Sequence, residues 1–101
     1  MTKEEARRIL DLVRGGTVQV RLSRHLWDRV AQRAPGLTAT EIMSVLEGGV
    51  ICGDPVPDAS RGNNKVRVRG SVVGYGILEV VVAIARFDAA VVVTIYKVRG
   101  K

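Results

Sequence analysis

Apolar and polar positions along this chain follow two periods, and the change from one to the other marks where helices give way to strands. Ala6, Ile9, Leu10 and Val13 recur at helical spacing. Thr2 stands before them as a cap, Glu4 and Glu5 suit the first turn, and Gly15-Gly16 stops the run. From Thr17 to Leu22 the period becomes two: Val18, Val20 and Leu22 alternate with polar residues, as in a strand with one buried face. Ser23 caps a second helix that runs to about Ala34 and is ended by Pro35-Gly36, with Leu26, Val30 and Ala34 as its apolar stripe. Thr38 or Thr40 caps a third, with Ile42, Met43, Val45 and Leu46 inward and Gly48-Gly49 as its stop. A short apolar segment, Val50 to Cys52, follows.

The stretch from Gly53 to Asn64 holds two prolines, two glycines and two asparagines, so it reads as a long loop, and a mobile one. Three strands close the chain: Lys65 to Val73, Tyr75 to Arg86, and Ala89 to Val98. Phe87 and Asp88 are expected in the tight connection of a terminal hairpin, and Gly74 and Gly76 mark a turn or bulge before it. The expected fold is one α+β domain over residues 1–101. Its helices should pack on one face of a curved, mainly antiparallel sheet of four to five strands.

Charge narrows the choice of partner. Sixteen lysines and arginines stand against ten acidic residues, giving a formal charge of +6 and a pI near 10.3. That balance favours nucleic acid or another polyanion, RNA above all, over a solubility role. Trp27, Tyr75, Phe87 and Tyr96 are the only aromatics, which argues against a binder that stacks several bases in a row. The one cysteine, Cys52, allows no intramolecular disulfide and reads as a small buried hydrophobe. No histidine or cysteine pair fits zinc, no phosphate loop or dinucleotide fingerprint is present, and the carboxylates are scattered. An enzyme built on this sequence is expected to need no metal or cofactor. The polar start of the chain does not read as a secretory signal, and the apolar run Val80 to Ala85 is too short to span a bilayer. The expected location is the cytoplasm, whether as a free domain or as a piece of something larger.

Two rows of basic residues carry candidate chemistry. His25, Arg29 and Arg33 follow at i, i+4 and i+8, in one line along the second helix. Histidine is the side chain whose ordinary titration lies nearest neutrality, and arginines hold phosphates. Lys65, Arg67 and Arg69 alternate with Val66 and Val68, so the three cations share one face of a strand. The plain alternatives are a solvated helix face and an edge strand protected by charge. The two rows are expected to converge, bringing His25, Arg29, Arg67 and Arg69 together. Thr94 and Tyr96 alternate in phase with Val92 and Val98; they either pack among them or point to the open face of the sheet. Glu79, between Leu78 and Val80, needs a partner, and an arginine is the expected one.

The segment from Ser23 to Arg33, SRHLWDRVAQR, resembles the His-x-x-x-Arg-x-x-x-Arg helix of a large group of small bacterial domains. In the same order come the threonine-capped Leu37 to Ile42, the apolar Gly49 to Ile51, an R-x-x-G strand at Arg67 to Gly70, and a closing T-x-Y at Thr94 to Tyr96. The group is similar to the RelE/ParE-like toxins, in particular their BrnT-like branch, and the likeness covers roughly residues 17 to 98. The helix over about residues 2 to 14 is an addition to that pattern.

What the resemblance implies is a metal-independent endoribonuclease toxin, countered by a cognate acidic antitoxin or immunity protein. RNA breaks when a 2′-hydroxyl attacks the adjacent phosphate, which calls for a base, an acid and positive charge at the phosphorane. In that scheme His25 is acid or base, Arg29, Arg67 and Arg69 stabilise charge, and Tyr96 positions a phosphate or gives a proton. Arg33, Arg61, Lys65 and Thr94 hold the RNA backbone. Two rival readings stand beside it: a nucleic-acid-binding module of the same fold without catalysis, and a basic interaction domain for an acidic protein.

Overall fold

Each helix starts where a hydroxyl takes up backbone N–H groups that the first turn leaves free. In α1 (Lys3–Arg14) the Thr2 hydroxyl accepts from the Glu5 N–H at 3.1 Å, and the Glu5 carboxylate accepts from the Thr2 N–H at 2.9 Å. Ser23 caps α2 (Arg24–Arg33) by accepting from Leu26 N–H. Thr38 and Glu41 repeat the reciprocal box at α3 (Ala39–Gly48), so Thr38 is the cap and Thr40 lies inside the helix. Caps of this kind stabilise a helix by about 1 kcal/mol each.

The computed structural model describes residues 1–86 and 89–98. It is an α+β fold whose sheet has six strands rather than four or five: β1 (Gln19–Leu22), β2 (Val50–Ile51), β3 (Val56–Asp58), β4 (Asn63–Val72), β5 (Gly76–Arg86) and β6 (Ala89–Lys97). The order is β1-β6-β5-β4-β2, with β3 also on β4. All pairings are antiparallel except β1 with β6, which is parallel and puts the first strand beside the last. The two extra strands come from segments too short to show a period. Part of the expected loop is a hairpin arm, with Val56 opposite Lys65 and Asp58 opposite Asn63. Phe87 and Asp88, the expected hairpin connection, lie outside the described residues.

Alternation along the long strands sorts the side chains. Val66, Val68, Leu78, Val80, Val82 and Ile84 share one buried core with Ala6, Ile9 and Leu10 of α1, Leu26 and Val30 of α2, and Ile42, Val45 and Leu46 of α3. The residues between them, among them Arg67, Arg69, Glu79 and Val81, stand on the other face. On β6 the alternation breaks. Val81 faces Thr94 but Val82 faces Val92, so Val93 is one residue too many, a β-bulge. Before it Ala90 and Val92 are in the core; after it Ile95 is. Thr94 and Tyr96 therefore leave the side of Val92 and join that of Glu79 and Val81.

Helix α1 is tied down at its end. The Arg14 guanidinium donates to the Leu46 carbonyl at 3.1 Å and the Gly49 carbonyl at 2.8 Å, satisfying groups at the end of α3. At Gly49 the chain passes from α3 straight into β2 with no room for a side chain. A Cβ there would meet the Val45 carbonyl, the Arg69 carbonyl at 2.6 Å and a Val68 methyl at 2.9 Å. A Cβ on the neighbouring Gly48, the last residue of α3, would meet nothing. Gly49→Ala should therefore destabilise the fold by about 1–3 kcal/mol through overpacking. Gly48→Ala should be neutral or stabilising by up to about 1 kcal/mol. Urea unfolding of the two variants beside the parent measures both.

Candidate nucleic-acid interface

Strand register arranges the face away from the core into rows across the sheet. Tyr96 lies opposite Glu79, Glu79 opposite Arg69, and Arg69 opposite Val50. The next row is Thr94, Val81 and Arg67, and a third is Arg21, Val91, Ala83, Lys65 and Val56. Neighbours within such a row have Cβ atoms about 5 Å apart. Arg21 belongs to this face but escaped notice in the sequence, although its alternation with Val20 and Leu22 is the signal that places it.

Glu79 is the centre of the first two rows. It is buried, its side chain 11 % exposed, and Oε1 accepts from Arg69 Nε at 3.0 Å and lies 4.0 Å from Arg67 Nη1. This is the arginine partner its position called for. The hydrogen bond to Glu79 raises the pKa of Arg69 beyond its ordinary value. Val81 and Ala83, the cross-strand partners of Arg67 and Lys65, are buried although they lie outside the main core cluster.

Lys65 has its own partners. Its Nζ donates to Asp58 at 3.2 Å and to Asn63 at 2.6 Å, while Arg61 stands 3.9 Å from the same carboxylate and is well exposed. Hydrogen bonds from Ser60 first, and then from Lys65, hold the Asp58 carboxyl below its ordinary pKa.

Arg33 joins the helix row to the sheet. β1 pairs with β6 only as far as Val92, so beyond that point no strand among the described residues covers the edge of β6. There Arg33 donates to the Ile95 carbonyl at 3.0 Å and to the Thr94 hydroxyl at 3.1 Å, with its guanidinium carbon 4.3 Å from the centre of the Tyr96 ring. Of the expected site, then, the structure brings together Arg33, Thr94, Tyr96, Arg67 and Arg69, with Lys65 and Arg61 at the far side of the same face. It does not bring in His25 and Arg29. Arg29 donates to Gln32 on its own helix, and His25 is exposed without a hydrogen-bond partner among the described residues. His25 lies eight residues before Arg33, about 12 Å along the helix axis. α2 shares the core with the opposite face, so the helix row meets the sheet row only at its last member. Cys52 is half-exposed rather than buried, its N–H donating to the Arg67 carbonyl at 2.9 Å.

No group of histidine, cysteine and carboxylate side chains that could hold a metal occurs among the described residues, and no helix there is long and apolar enough to cross a membrane. Comparison with protein families, curated proteins and solved structures finds no match to this chain.

Two outcomes follow from the charges. Glu79→Gln removes the counter-charge of two arginines. It should lower the melting temperature yet raise the salt needed to elute the protein from heparin, and a heparin shift in the other direction would contradict this placement. Asp58, with its folded pKa depressed, contributes stability that is full above the ordinary aspartate pKa and is lost as pH falls through the lower folded value. An NMR titration of its carboxyl should show a midpoint below that of a peptide aspartate, and Asp58→Asn should remove the acid-linked change.

Proposed function

We propose that this protein binds RNA on the outer sheet face and cleaves it without metal, as a toxin domain of the RelE-like kind. The observation that carries the proposal is the row Tyr96–Glu79–Arg69 with Arg67 beside it. It lines up a phenol, a largely buried carboxylate and two half-exposed guanidiniums on adjacent strands of one face. Arg21, Arg33 and Lys65 extend the positive charge on either side. Helices layered on the other face, in a RelE-like arrangement, leave this one free for a long chain.

In this reading the scissile phosphate rests on Arg67 and Arg69. The 2′-oxygen loses its proton to Glu79 and bonds to phosphorus, and the phosphorus–5′-oxygen bond breaks as that oxygen takes a proton from Tyr96. The products are a 2′,3′-cyclic phosphate and a 5′-hydroxyl. Thr94 and Arg33 orient Tyr96. A cytoplasmic site of action and an acidic antitoxin or immunity protein covering the arginines belong to the same proposal. A second reading, binding without cleavage, is favoured by one observation: His25 stands on α2, away from the row.

Incubation with RNA in excess chelator tests the proposal. Cleavage should persist, leaving cyclic-phosphate ends. Glu79→Gln and Tyr96→Phe should each slow it by about a hundredfold or more. Arg67→Ala and Arg69→Ala should weaken binding as well and each reduce the salt slope by about one. Loss of cleavage with His25→Ala alone would move the chemistry to α2, and binding without cut products would leave the second reading.

A further inference from the structure

Glu79 is the one buried charged residue among the described residues, 8 % exposed in the middle of β5. Its ionic contacts run through a single oxygen. Oε1 accepts from Arg69 and lies near Arg67, while Oε2 accepts no hydrogen bond from a described residue. The charged form is thus held by two guanidiniums. Both are half-exposed, so a polyanion reaches them from solvent, and they are the groups that the reading above gives to the phosphate. The remaining groups around the carboxyl replace neither of them. Tyr96 of β6 stands opposite Glu79, and Arg33 of α2 lies against the Tyr96 ring. Cys52 follows β2 and bonds the Arg67 carbonyl through its N–H, and Lys65 is engaged by Asp58 and Asn63.

We propose that RNA binding at this face takes up a proton from solvent at Glu79, so that affinity rises as pH falls; the inference rests on the RNA-binding reading above. A phosphate on Arg67 and Arg69 brings a negative charge beside the carboxylate and shares the cations that held it, and both effects favour the neutral acid. A buried carboxylate without its counter-charge is costly, and a proton removes that cost. Oε2, which has no hydrogen-bond donor, is the oxygen that receives it. The neutral acid leaves both guanidiniums to the RNA. The proton has to leave again before Glu79 takes one from the 2′-oxygen, so binding and cleavage depend on pH in opposite directions through one group.

A short labelled RNA with 2′-O-methyl groups, which cannot be cut, is the probe. Its affinity, read by fluorescence anisotropy, should rise about tenfold from about pH 8 to about pH 5.5, with a slope no steeper than about tenfold per pH unit, the limit for one proton. Calorimetry in two buffers of different ionisation heat should show net proton uptake. Glu79→Gln should bind more tightly near neutral pH and lose both the pH dependence and the uptake. His25→Gln, which removes the side chain that ordinarily changes charge near neutrality, should keep both. In the parent protein the carbon-13 shift of the Glu79 carboxyl should move toward that of the acid when the RNA is added, a reading that does not depend on any variant folding. A flat affinity, uptake that survives Glu79→Gln or vanishes with His25→Gln, or an unmoved carboxyl overturns the proton linkage while RNA binding stands. Failure to bind at every pH overturns the RNA-binding reading along with it.

Discussion

Val81 of β5 faces Thr94 and Val82 faces Val92, so β6 accommodates Val93 as an extra residue against a strand that has none to match. Because strand side chains alternate with period two, one inserted residue exchanges the faces of everything beyond it. Without the bulge Ile95 would leave the core, and Thr94 and Tyr96 would enter it opposite Val80 and Leu78. With it, Ile95 is fully buried and the two hydroxyl side chains stand across from Val81 and Glu79. The composition of the outer face depends on this one irregularity. On the other side of β6, where β1 has ended opposite Val92, Arg33 takes up the Ile95 carbonyl.

The central strand carries a second constraint. Glu79 is a buried carboxylate between Leu78 and Val80, both of which are in the core. Such a group is tolerated only when paired and hydrogen-bonded. Arg69 and Arg67 supply the pairing. Stability and the proposed polyanion binding thus draw on the same side chains. The arginines are held in place before any ligand comes, which reduces the ordering that binding would require. The counter-charge that holds them also competes with a phosphate for them.

Much of the fold was legible where the period was long. The three helices, their caps and stops, and the long terminal strands lie close to where spacing puts them, because each has several residues obeying one rule. What escaped was short or irregular. Val50–Ile51 and Val56–Asp58 are too brief to show alternation, and prolines at 55 and 57 argued for a loop. Pro57 sits on a short strand that pairs with β4 alone, the position where a missing N–H costs least. The parallel partnership of β1 with β6 has no local signal at all. For the site, the strand row Lys65, Arg67 and Arg69 and the need of Glu79 for an arginine followed from alternation. The convergence of His25 with that row did not, since a helix row fixes a face of the helix but not which layer of the fold that face borders. The bulge at Val93 decided between the two orientations left open for Tyr96, and five apolar residues in the run Ala89 to Val93 gave no sign of it.

The central claim is that the outer face, and not the helical one, meets RNA. Amide chemical-shift mapping with a short RNA tests it most directly. The account requires shifts concentrated on β4, β5 and the end of β6, around Arg67, Arg69, Glu79 and Tyr96, together with Arg33. Shifts concentrated on Arg7, Arg8 and Arg14 of α1, with the strands unmoved, would contradict it.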